Sequence, residues 1–417
     1  MKNCLLLVSV LFSSALYSCN TNTSVSENSQ WRGEKRNGVY NETGLLKAWA
    51  ADGPELLWSF EGLGAGFTSA AVSGEKIYIT GLTDDRLMLY VLDLHGKMLN
   101  KKDVGKERDE NFPGPRSTVC VNDGKLYIFN ALGNFYCLDK ATLNPVWEKN
   151  LLTDFDGRNI MWGLTESPLI VDDKIFLTPG GVENNMIALN KNTGALIWSS
   201  PGTGMPSTYC SPLYIGDQSI PMVVTWFEGV KQDKINENTL TAFNAETGEM
   251  LWSIPQPSEN DINPNIPIYS DGMIFSTTGY RGGSRLYRLK DGGKTAELLW
   301  KNDDLDNQMG SAIRIGDYIY SSGHFNNNWF CVDWKTGETK YKVQDIGRCN
   351  TVTADGMLYC YSERGTMHLV KPNPEKFEPV SSFKVTLGTD QHWAHTVIHQ
   401  GVMYIRHGDA LMAYKIK

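Results

Sequence analysis

Residues 188–198 read ALNKNTGALIW, and residues 242–252 repeat the pattern as AFNAETGEMLW. The two copies agree at Ala, Asn, Thr, Gly and Trp, and apolar residues alternate on both sides of an Asn-x-x-Thr-Gly turn. Alternation with a period of two, interrupted by such a turn, is typical of a β-hairpin. Weaker copies with the same spacing end at Trp147 and Tyr341, so the hairpin is a repeated unit.

A second hairpin precedes each copy. Residues 68–72 turn at Ser73-Gly74 into residues 76–79, and the same arrangement recurs at residues 352–359 around Asp355-Gly356. Two hairpins make a sheet of four antiparallel strands, and one such unit every 41 to 54 residues matches the period of a β-propeller blade. The repeats end at Trp58, Asn100, Trp147, Trp198, Trp252, Trp300, Tyr341 and Phe383.

The last repeat supplies three strands, and the missing fourth strand occurs near the start of the chain. Leu56-Leu57-Trp58 matches Leu298-Leu299-Trp300, which ends an outer strand. We therefore predict an all-β, eight-bladed β-propeller closed by an N-terminal outer strand that completes the C-terminal blade. Such closure removes open sheet edges. Five tryptophans at outer-strand ends are expected to pack between blades as structure, namely Trp58, Trp147, Trp198, Trp252 and Trp300.

The composition excludes several classes of protein. The 417 residues include 40 Gly and 11% aromatic residues, which argues against fibrous and disordered chains. Lys and Arg number 39 against 47 Asp and Glu, so the net charge is −8. Because no run of four basic residues occurs and phosphate binding needs a basic face, nucleic acid is not an expected partner.

The N-terminus indicates export. Lys2 precedes a short apolar run from Leu5 to Leu16, and Leu16-Tyr17-Ser18-Cys19 resembles a bacterial lipobox. We read residues 1–18 as a lipoprotein signal peptide, 19–30 as a flexible tether, 31–54 as a lead-in segment and 55–417 as the propeller. A plain secretory signal is the alternative. The expected protein is a monomer in the cell envelope, anchored through acylated Cys19 to the outer membrane and facing the periplasm.

The remaining cysteines give no metal or redox motif. No Cys-x-x-Cys pair occurs, so no metal site is predicted. Cys349 and Cys360 flank the Asp355-Gly356 turn, and either a disulfide bridge or two free thiols is compatible with that spacing. Buried free thiols are the favoured interpretation.

The Ala-x-Asn/Asp-x-x-Thr-Gly-x-x-x-Trp repeat resembles that of pyrroloquinoline-quinone (PQQ) propellers. These include quinoprotein alcohol dehydrogenases and the propeller lipoprotein of the outer-membrane barrel-assembly machinery. The opening Trp31-Arg32-Gly33 is similar to PQQ-binding-like repeat proteins. For a dehydrogenase the resemblance implies PQQ with Ca²⁺, an adjacent Cys pair against the quinone, a Glu/Asn/Asp set for Ca²⁺ and an Asp base. No adjacent Cys pair occurs here, so no cofactor is firmly predicted.

Propeller geometry indicates where a site would lie. Connections between blades, and loops between second and third strands, open at one mouth of the central channel. Aromatic side chains there offer stacking surfaces for a sugar or another polar cyclic ligand. The competing interpretation is that these side chains simply fill the channel mouth. The longest loop within a blade, residues 225–238, suits a lid or a partner contact. The candidate ligand-binding residues are Arg116, Trp162, Tyr209, Trp226, Arg348 and Trp393.

Three functions follow from these observations. The first is a propeller that binds a small polar ligand, carbohydrate included, or a periplasmic or outer-membrane protein, without chemistry of its own. The second is a quinoprotein-like or sugar-modifying oxidoreductase, with His324, His395 or Glu166 as candidate catalytic groups. The third is a scaffold similar to the barrel-assembly lipoprotein. Hydrolase and zincin motifs of the Gly-x-Ser-x-Gly and His-Glu-x-x-His types are absent from the sequence.

Overall fold

The structure is a computed structural model that describes residues 27–417. Eight sheets of four antiparallel strands follow one another along the chain, which confirms the eight-bladed, all-β propeller. The predicted signal peptide, Cys19 and the first part of the predicted tether lie outside the described residues. Within residues 27–417, no helix is long and apolar enough to cross a membrane.

Two strands, β1 (Val39–Tyr40) and β2 (Leu56–Glu61), precede the first blade. A single helical turn, α1 (Leu151–Asp154), follows the second blade. Blades one to four consist, in chain order, of β3 (Ala71–Ser73), β4 (Lys76–Thr83), β5 (Arg86–Asp93) and β6 (Met98–Lys106); β7 (Cys120–Asn122), β8 (Lys125–Phe129), β9 (Asn134–Asp139) and β10 (Pro145–Asn150); β11 (Leu169–Val171), β12 (Lys174–Leu177), β13 (Met186–Asn190) and β14 (Leu196–Ser200); and β15 (Leu213–Ile215), β16 (Met222–Phe227), the inserted hairpin β17 (Lys231–Gln232) and β18 (Ile235–Asn236), β19 (Thr239–Asn244) and β20 (Met250–Pro255).

A short 3₁₀ turn, Asp291–Gly293, interrupts the fifth blade before its outer strand. Blades five to eight consist, in chain order, of β21 (Ile268–Ser270), β22 (Met273–Thr278), β23 (Gly283–Lys290) and β24 (Thr295–Asn302); β25 (Ile313–Ile315), β26 (Tyr318–Ser322), β27 (Trp329–Asp333) and β28 (Thr339–Val343); β29 (Cys349–Ala354), β30 (Met357–Ser362), β31 (Thr366–Val370) and β32 (Pro379–Lys384); and β33 (Val397–His399), β34 (Val402–His407) and β35 (Ala410–Lys415), which β2 completes.

The ring closes as the sequence predicts. Strand β2 pairs antiparallel with β35, with Trp58 opposite Ala413, so the outer strand of the last blade comes from the N-terminal part of the chain. The core is divided among eight apolar clusters, each lying between two neighbouring blades. Every blade is thus held by its neighbours, and the closing strand ties the first blade to the last.

The outer-strand tryptophans dock on the next blade. The Nε1 of Trp198 donates a hydrogen bond to the carbonyl of Ala245 at 3.0 Å, and its indole lies against Gly248. Trp58 repeats the arrangement with the carbonyl of Leu94 and Gly96. Glycine is required at position 248 for two reasons. Its backbone adopts φ +77°, and the absence of a side chain leaves room for the indole ring of Trp198. This is the packing role predicted for these tryptophans.

The lead-in segment crosses the central channel, which the sequence did not reveal. Strand β1 pairs in parallel with β29 of blade seven. A few residues earlier, the guanidinium of Arg36 donates to the carbonyls of Ser167 and Pro168, next to the inner strand of blade three. Blades three and seven lie opposite one another in a ring of eight. The segment therefore spans the channel and closes it beneath the mouth.

The described part of the predicted tether also lies against the ring. Ser29 pairs with Val121 of β7 through two backbone hydrogen bonds of 2.9 Å, and Glu27 forms an ion pair with Lys140. Residues 27–30 are therefore held against the second blade, where the inner strand offers unpaired backbone groups to a passing chain.

All six cysteines within residues 27–417 are buried and free. Cys349 lies opposite Ser362 and Cys360 lies opposite Thr351, so the two cysteines considered for a bridge are diagonal neighbours. Burial raises the pKa of the Cys349 thiol well above its usual range. These thiols act as small apolar core groups.

Candidate functional site

An aromatic cavity of about 340 Å³ opens at the channel mouth above the lead-in segment. Seven of the eight connections between blades contribute to its walls, and Trp31 of the lead-in contributes as well. Of the residues predicted from the sequence, five line it: Arg116, Trp162, Tyr209, Trp393 and His395. The rule that connections between blades converge at one mouth therefore places these side chains together.

The aromatic side chains form a continuous chain of ring contacts. Trp393 lies with its ring centroid 5.0 Å from that of Phe67 and 5.0 Å from that of Phe112. Phe112 in turn meets Trp162 edge-to-face at 5.6 Å. Offset and edge-to-face contacts of this kind leave ring faces free to stack against a flat or cyclic ligand.

Arg116 orders the loop that carries Phe112. Its guanidinium donates to the carbonyls of Phe112 at 2.6 Å and Gly114 at 3.3 Å, and lies over the ring of Phe67 at 5.6 Å. Phe112 has φ +62°, a backbone conformation that needs such support. Burial lowers the pKa of Arg116 to about 10, so the side chain remains a cation at neutral pH.

His395 is a neutral hydrogen-bond donor to the cavity. Its Nδ1 lies 3.0 Å from a terminal guanidinium nitrogen of Arg32, and because a guanidinium only donates, Nδ1 must accept. The proton then resides on Nε2. Burial and the adjacent Arg32 hold the pKa of His395 well below its usual range. Trp31 meets the same ring edge-to-face at 5.0 Å, so the lead-in segment fixes this histidine from two sides.

Tyr209 lies in the connection between blades three and four and contacts the connection that precedes it along the chain. It has φ +68°, its hydroxyl accepts from the backbone NH of Trp162 at 3.3 Å, and its carbonyl accepts from the hydroxyl of Thr165 at 2.8 Å. Burial raises the pKa of Tyr209, so the phenol stays protonated. This residue thus supports Trp162 as well as lining the cavity.

Four predicted residues lie elsewhere. Trp226 is fully buried between blades four and five, because β16 continues through Phe227 and places it on a strand rather than in a loop. Arg348 forms an ion pair with Glu363 at 2.5 Å, and both are absent from the cavity walls. The Nδ1 of His324 accepts from the backbone NH of Tyr280 at 3.2 Å, and burial lowers its pKa to about 4.

Glu166 is the fourth of these residues. It is 3% exposed and accepts hydrogen bonds from the hydroxyl and the backbone NH of Thr178. Desolvation raises its pKa to about 7 despite those hydrogen bonds and the field of Arg36. Its neighbours Thr165 and Ser167 line the cavity, so Glu166 belongs to the support beneath the site.

Several wall residues were missed from the sequence. Phe67 and Phe112 lie in connections between blades and could have been found by the same rule that found Trp162. Tyr280 lies in a loop between second and third strands. Trp31 carried no such signal, because nothing in the repeat indicates that the lead-in enters the channel.

The family model described as outer membrane protein assembly factor BamB matches residues 42–220 and 236–374. The chain belongs to this PQQ-like propeller family. Its curated relatives include the quinoprotein alcohol dehydrogenase PedH of Pseudomonas putida, 24% identical over 69% of this chain and 52% of the relative. This propeller therefore spans about half the length of that dehydrogenase.

Solved structures share the fold of this PQQ-like propeller. BamB from Moraxella catarrhalis superposes with a TM-score of 0.59 and 13% identity, covering 87% of this chain and 100% of that one. A europium-containing methanol dehydrogenase superposes with a TM-score of 0.65 and 14% identity, covering 92% and 90% of the two chains. At these identities the likeness establishes the fold alone.

The aromatic cavity does not fit PQQ with Ca²⁺. PQQ is a planar tricarboxylic acid, and the one arginine in the walls, Arg116, already spends two guanidinium nitrogens on backbone carbonyls. Ca²⁺ takes about six to eight oxygen ligands, several of them carboxylates. No Asp or Glu of the described chain lines this cavity, and across residues 27–417 no group of three or more His, Cys, Asp and Glu is placed to hold a metal ion.

Proposed function

We propose that this PQQ-like propeller binds a small polar cyclic ligand, carbohydrate foremost, in the aromatic cavity, and has no quinone chemistry. The observation that carries the proposal is the run of ring contacts from Trp162 through Phe112 to Trp393 beside two fixed hydrogen-bond donors. Trp162 and Trp393 stack against the ligand ring, and His395 Nε2 supplies a directional contact. Gln308 supplies another, because it lines the cavity and its amide donates to the hydroxyl of Tyr280 at 3.2 Å. Arg116 supplies positive charge.

A ligand screen by thermal shift tests the proposal. A ligand selective for the native state adds about 2.7 kcal/mol to the free energy of unfolding at a concentration of 100 times Kd, and the melting temperature rises as a result. We expect a shift with at least one monosaccharide or disaccharide, lost in Trp393→Ala and kept in Trp226→Phe, a conservative change at a residue that does not line the cavity. No shift across the panel, or turnover of alcohols or sugars with PQQ and Ca²⁺, contradicts the proposal.

A scaffold is the second candidate, and the family match favours it. Exposed apolar side chains on mouth-facing loops support a protein contact at this face. Met161 is 69% exposed, and Val230 and Phe325 are more than half exposed. Co-purification of an outer-membrane protein with wild-type protein, lost in a Met161→Asp/Phe325→Asp double variant that still binds sugar, would favour the scaffold over the ligand site.

We also propose that the protein is anchored in the cell envelope through Cys19, at the outer membrane and facing the periplasm. The lipobox-like Leu16-Tyr17-Ser18-Cys19 supports this proposal. Metabolic labelling with a fatty acid should mark the wild type and not Cys19→Ser, and the variant should leave the membrane fraction. Labelling that persists in Cys19→Ser would contradict the anchor.

A further inference from the structure

A second cavity of about 520 Å³ adjoins the aromatic one, and Trp162, Ile262 and Tyr280 line both. Its outer wall is the inserted hairpin of blade four, from Gly229 to Asn236. This hairpin is a two-stranded sheet of its own outside the four strands of the blade, so this wall is an addition to the repeated unit.

Two carboxyl groups meet in the second cavity. Glu228 directly follows β16, Asp261 lies in the connection to blade five, and the two side chains are hydrogen-bonded to each other. Two ionised carboxylates both accept and neither donates, so one of them carries a proton. Burial first, and then the bond to Asp261, raise the pKa of Glu228 to about 8. At neutral pH the shared proton neutralises one of the two negative charges.

An unsatisfied amide faces the same space. Asn236 lines the cavity, is 5% exposed, and its side chain forms no hydrogen bond within residues 27–417. The amide oxygen of Asn236 can accept a hydrogen bond from a ligand in the cavity. Together with Glu228 and Asp261 it gives the cavity three side chains with acceptor oxygens.

The surroundings favour a cation of modest size. Trp162 and Tyr280 present aromatic rings at the boundary of the two cavities, and cations are attracted to ring faces. The charged and titratable groups facing the pair are Lys231 on the hairpin, Tyr209 and Tyr280. Lys231 is exposed, so its ammonium can turn to solvent. Two carboxylates and an amide are too few ligands for Ca²⁺ and match the three N–H donors of a primary ammonium.

We propose that the second cavity binds the primary ammonium group of the ligand whose ring stacks in the aromatic cavity. The inference rests on the proposed function and narrows it to amine-bearing cyclic ligands. The ammonium donates to Glu228, Asp261 and Asn236, and the proton that the carboxyl pair shared is released to solvent. The carboxyl pair has a net charge of −1 with its proton and −2 without it, and the bound ammonium restores the net charge of the site to −1.

Calorimetric titration with a matched pair of probes, cyclohexylamine and cyclohexanol, tests the inference. A primary alkylamine keeps its proton to about pH 10, as lysine does. In the wild type we expect the amine to bind at least about tenfold more tightly than the alcohol at pH 8.5. Its affinity should rise about tenfold or more from pH 6.5 to 8.5, because binding requires the shared proton to leave. Proton release should appear as a binding enthalpy that depends on the buffer.

Glu228→Gln and Asp261→Asn supply the decisive variants. Glutamine has the shape of a protonated glutamate, and asparagine that of a protonated aspartate, so we expect the fold to be retained. In either variant the second cavity can no longer carry two negative charges. We expect each variant to lose about tenfold in amine affinity at pH 8.5, and Glu228→Gln to lose the pH dependence. Glu249→Gln, an exposed change at the opposite end of a blade, is the matched control and should leave both unchanged.

The outcomes separate the two proposals. If amine and alcohol bind equally, Trp393→Ala weakens both and Glu228→Gln changes neither, the aromatic site stands and the ammonium inference is overturned. Amine binding that is insensitive to Glu228→Gln and Asp261→Asn also overturns it. If neither probe binds at tens of millimolar, both proposals fail for this class of ligand.

Discussion

The tryptophans at the ends of the outer strands, which form the rim of this propeller, have a different role from those at the channel mouth. At the rim, Trp198 rests on Gly248 of the next blade and donates to the carbonyl of Ala245. At the mouth, Trp393 contacts Phe67 and Phe112, which belong to connections of unrelated sequence. A rim tryptophan has a partner prescribed by the repeat, whereas a mouth tryptophan does not. The repeat builds the ring, and the departures from the repeat build the site.

Among changes to the contact at the rim, replacement of the glycine is expected to destabilise the protein most. In Gly248→Ala the added Cβ would lie 2.6 Å from the Trp198 ring at φ +77°. Strain at positive φ and overpacking should together destabilise the protein by about 4 kcal/mol. Gly356→Ala is the control, because φ is +73° and nothing lies within 4 Å of its Cβ. It should lose about 1 kcal/mol in urea unfolding. Equal losses in the two variants would show that the indole contact is unimportant.

The lead-in segment joins ring and mouth, so Arg36→Ala is the next largest change. Removing the guanidinium leaves the carbonyls of Ser167 and Pro168 without their donors in a buried place. Two orphaned acceptors of about 1 to 3 kcal/mol each, offset in part by relief of a desolvated charge, predict a loss of about 3 kcal/mol. The exposed neighbour Lys35→Ala should unfold like the wild type. A wild-type midpoint in Arg36→Ala would mean that the segment does not hold the channel.

The same contrast between rim and mouth explains which features of the fold and the site could be predicted from the sequence. Thr247, Gly248 and Trp252 recur at fixed spacing, so their roles could be inferred by comparing copies. Connections between blades could be assigned to the mouth by topology, which placed Trp162 and Trp393 correctly at the cavity. The bond between Arg32 and His395 joins residues 363 positions apart and has no counterpart in the repeat. Trp226 was misplaced because its strand extends further than alternation alone indicates.

Beneath the mouth, Glu166 predicts a dependence of stability on pH. Its pKa is about 7 in the folded protein and near 4.5 when unfolded. Between these values the folded state holds a proton that the unfolded state has released, so stability falls as pH rises from about 4.5 to 7. Glu166→Gln should remove part of that slope and stabilise the protein by about 2 kcal/mol at pH 8.

Urea unfolding at pH 5 and pH 8 measures the Glu166 effect. The slope should shrink rather than vanish, because burial also raises the pKa of Glu107 to about 7. Glu249→Gln should keep the wild-type slope. A Glu166→Gln protein with an unchanged slope would show that this carboxyl is ionised in the folded state at neutral pH.

The smallest expected loss of stability is that of a tryptophan variant at the mouth. Comparing it with a tryptophan variant at the rim distinguishes the two regions best. Trp393 is partly exposed, and its two aromatic contacts are worth about 0.5 to 1.5 kcal/mol each, so Trp393→Ala should lower stability by about 1 kcal/mol. Trp300→Ala at the rim should lower it by about 3 to 5 kcal/mol. Ligand binding should show the reverse order, with at least a tenfold loss in Trp393→Ala and retention in folded Trp300→Ala. If the two variants lost stability equally and Trp393→Ala still bound ligand, the mouth tryptophan would be one more packing residue, and the surplus of aromatic side chains at this face would be structural.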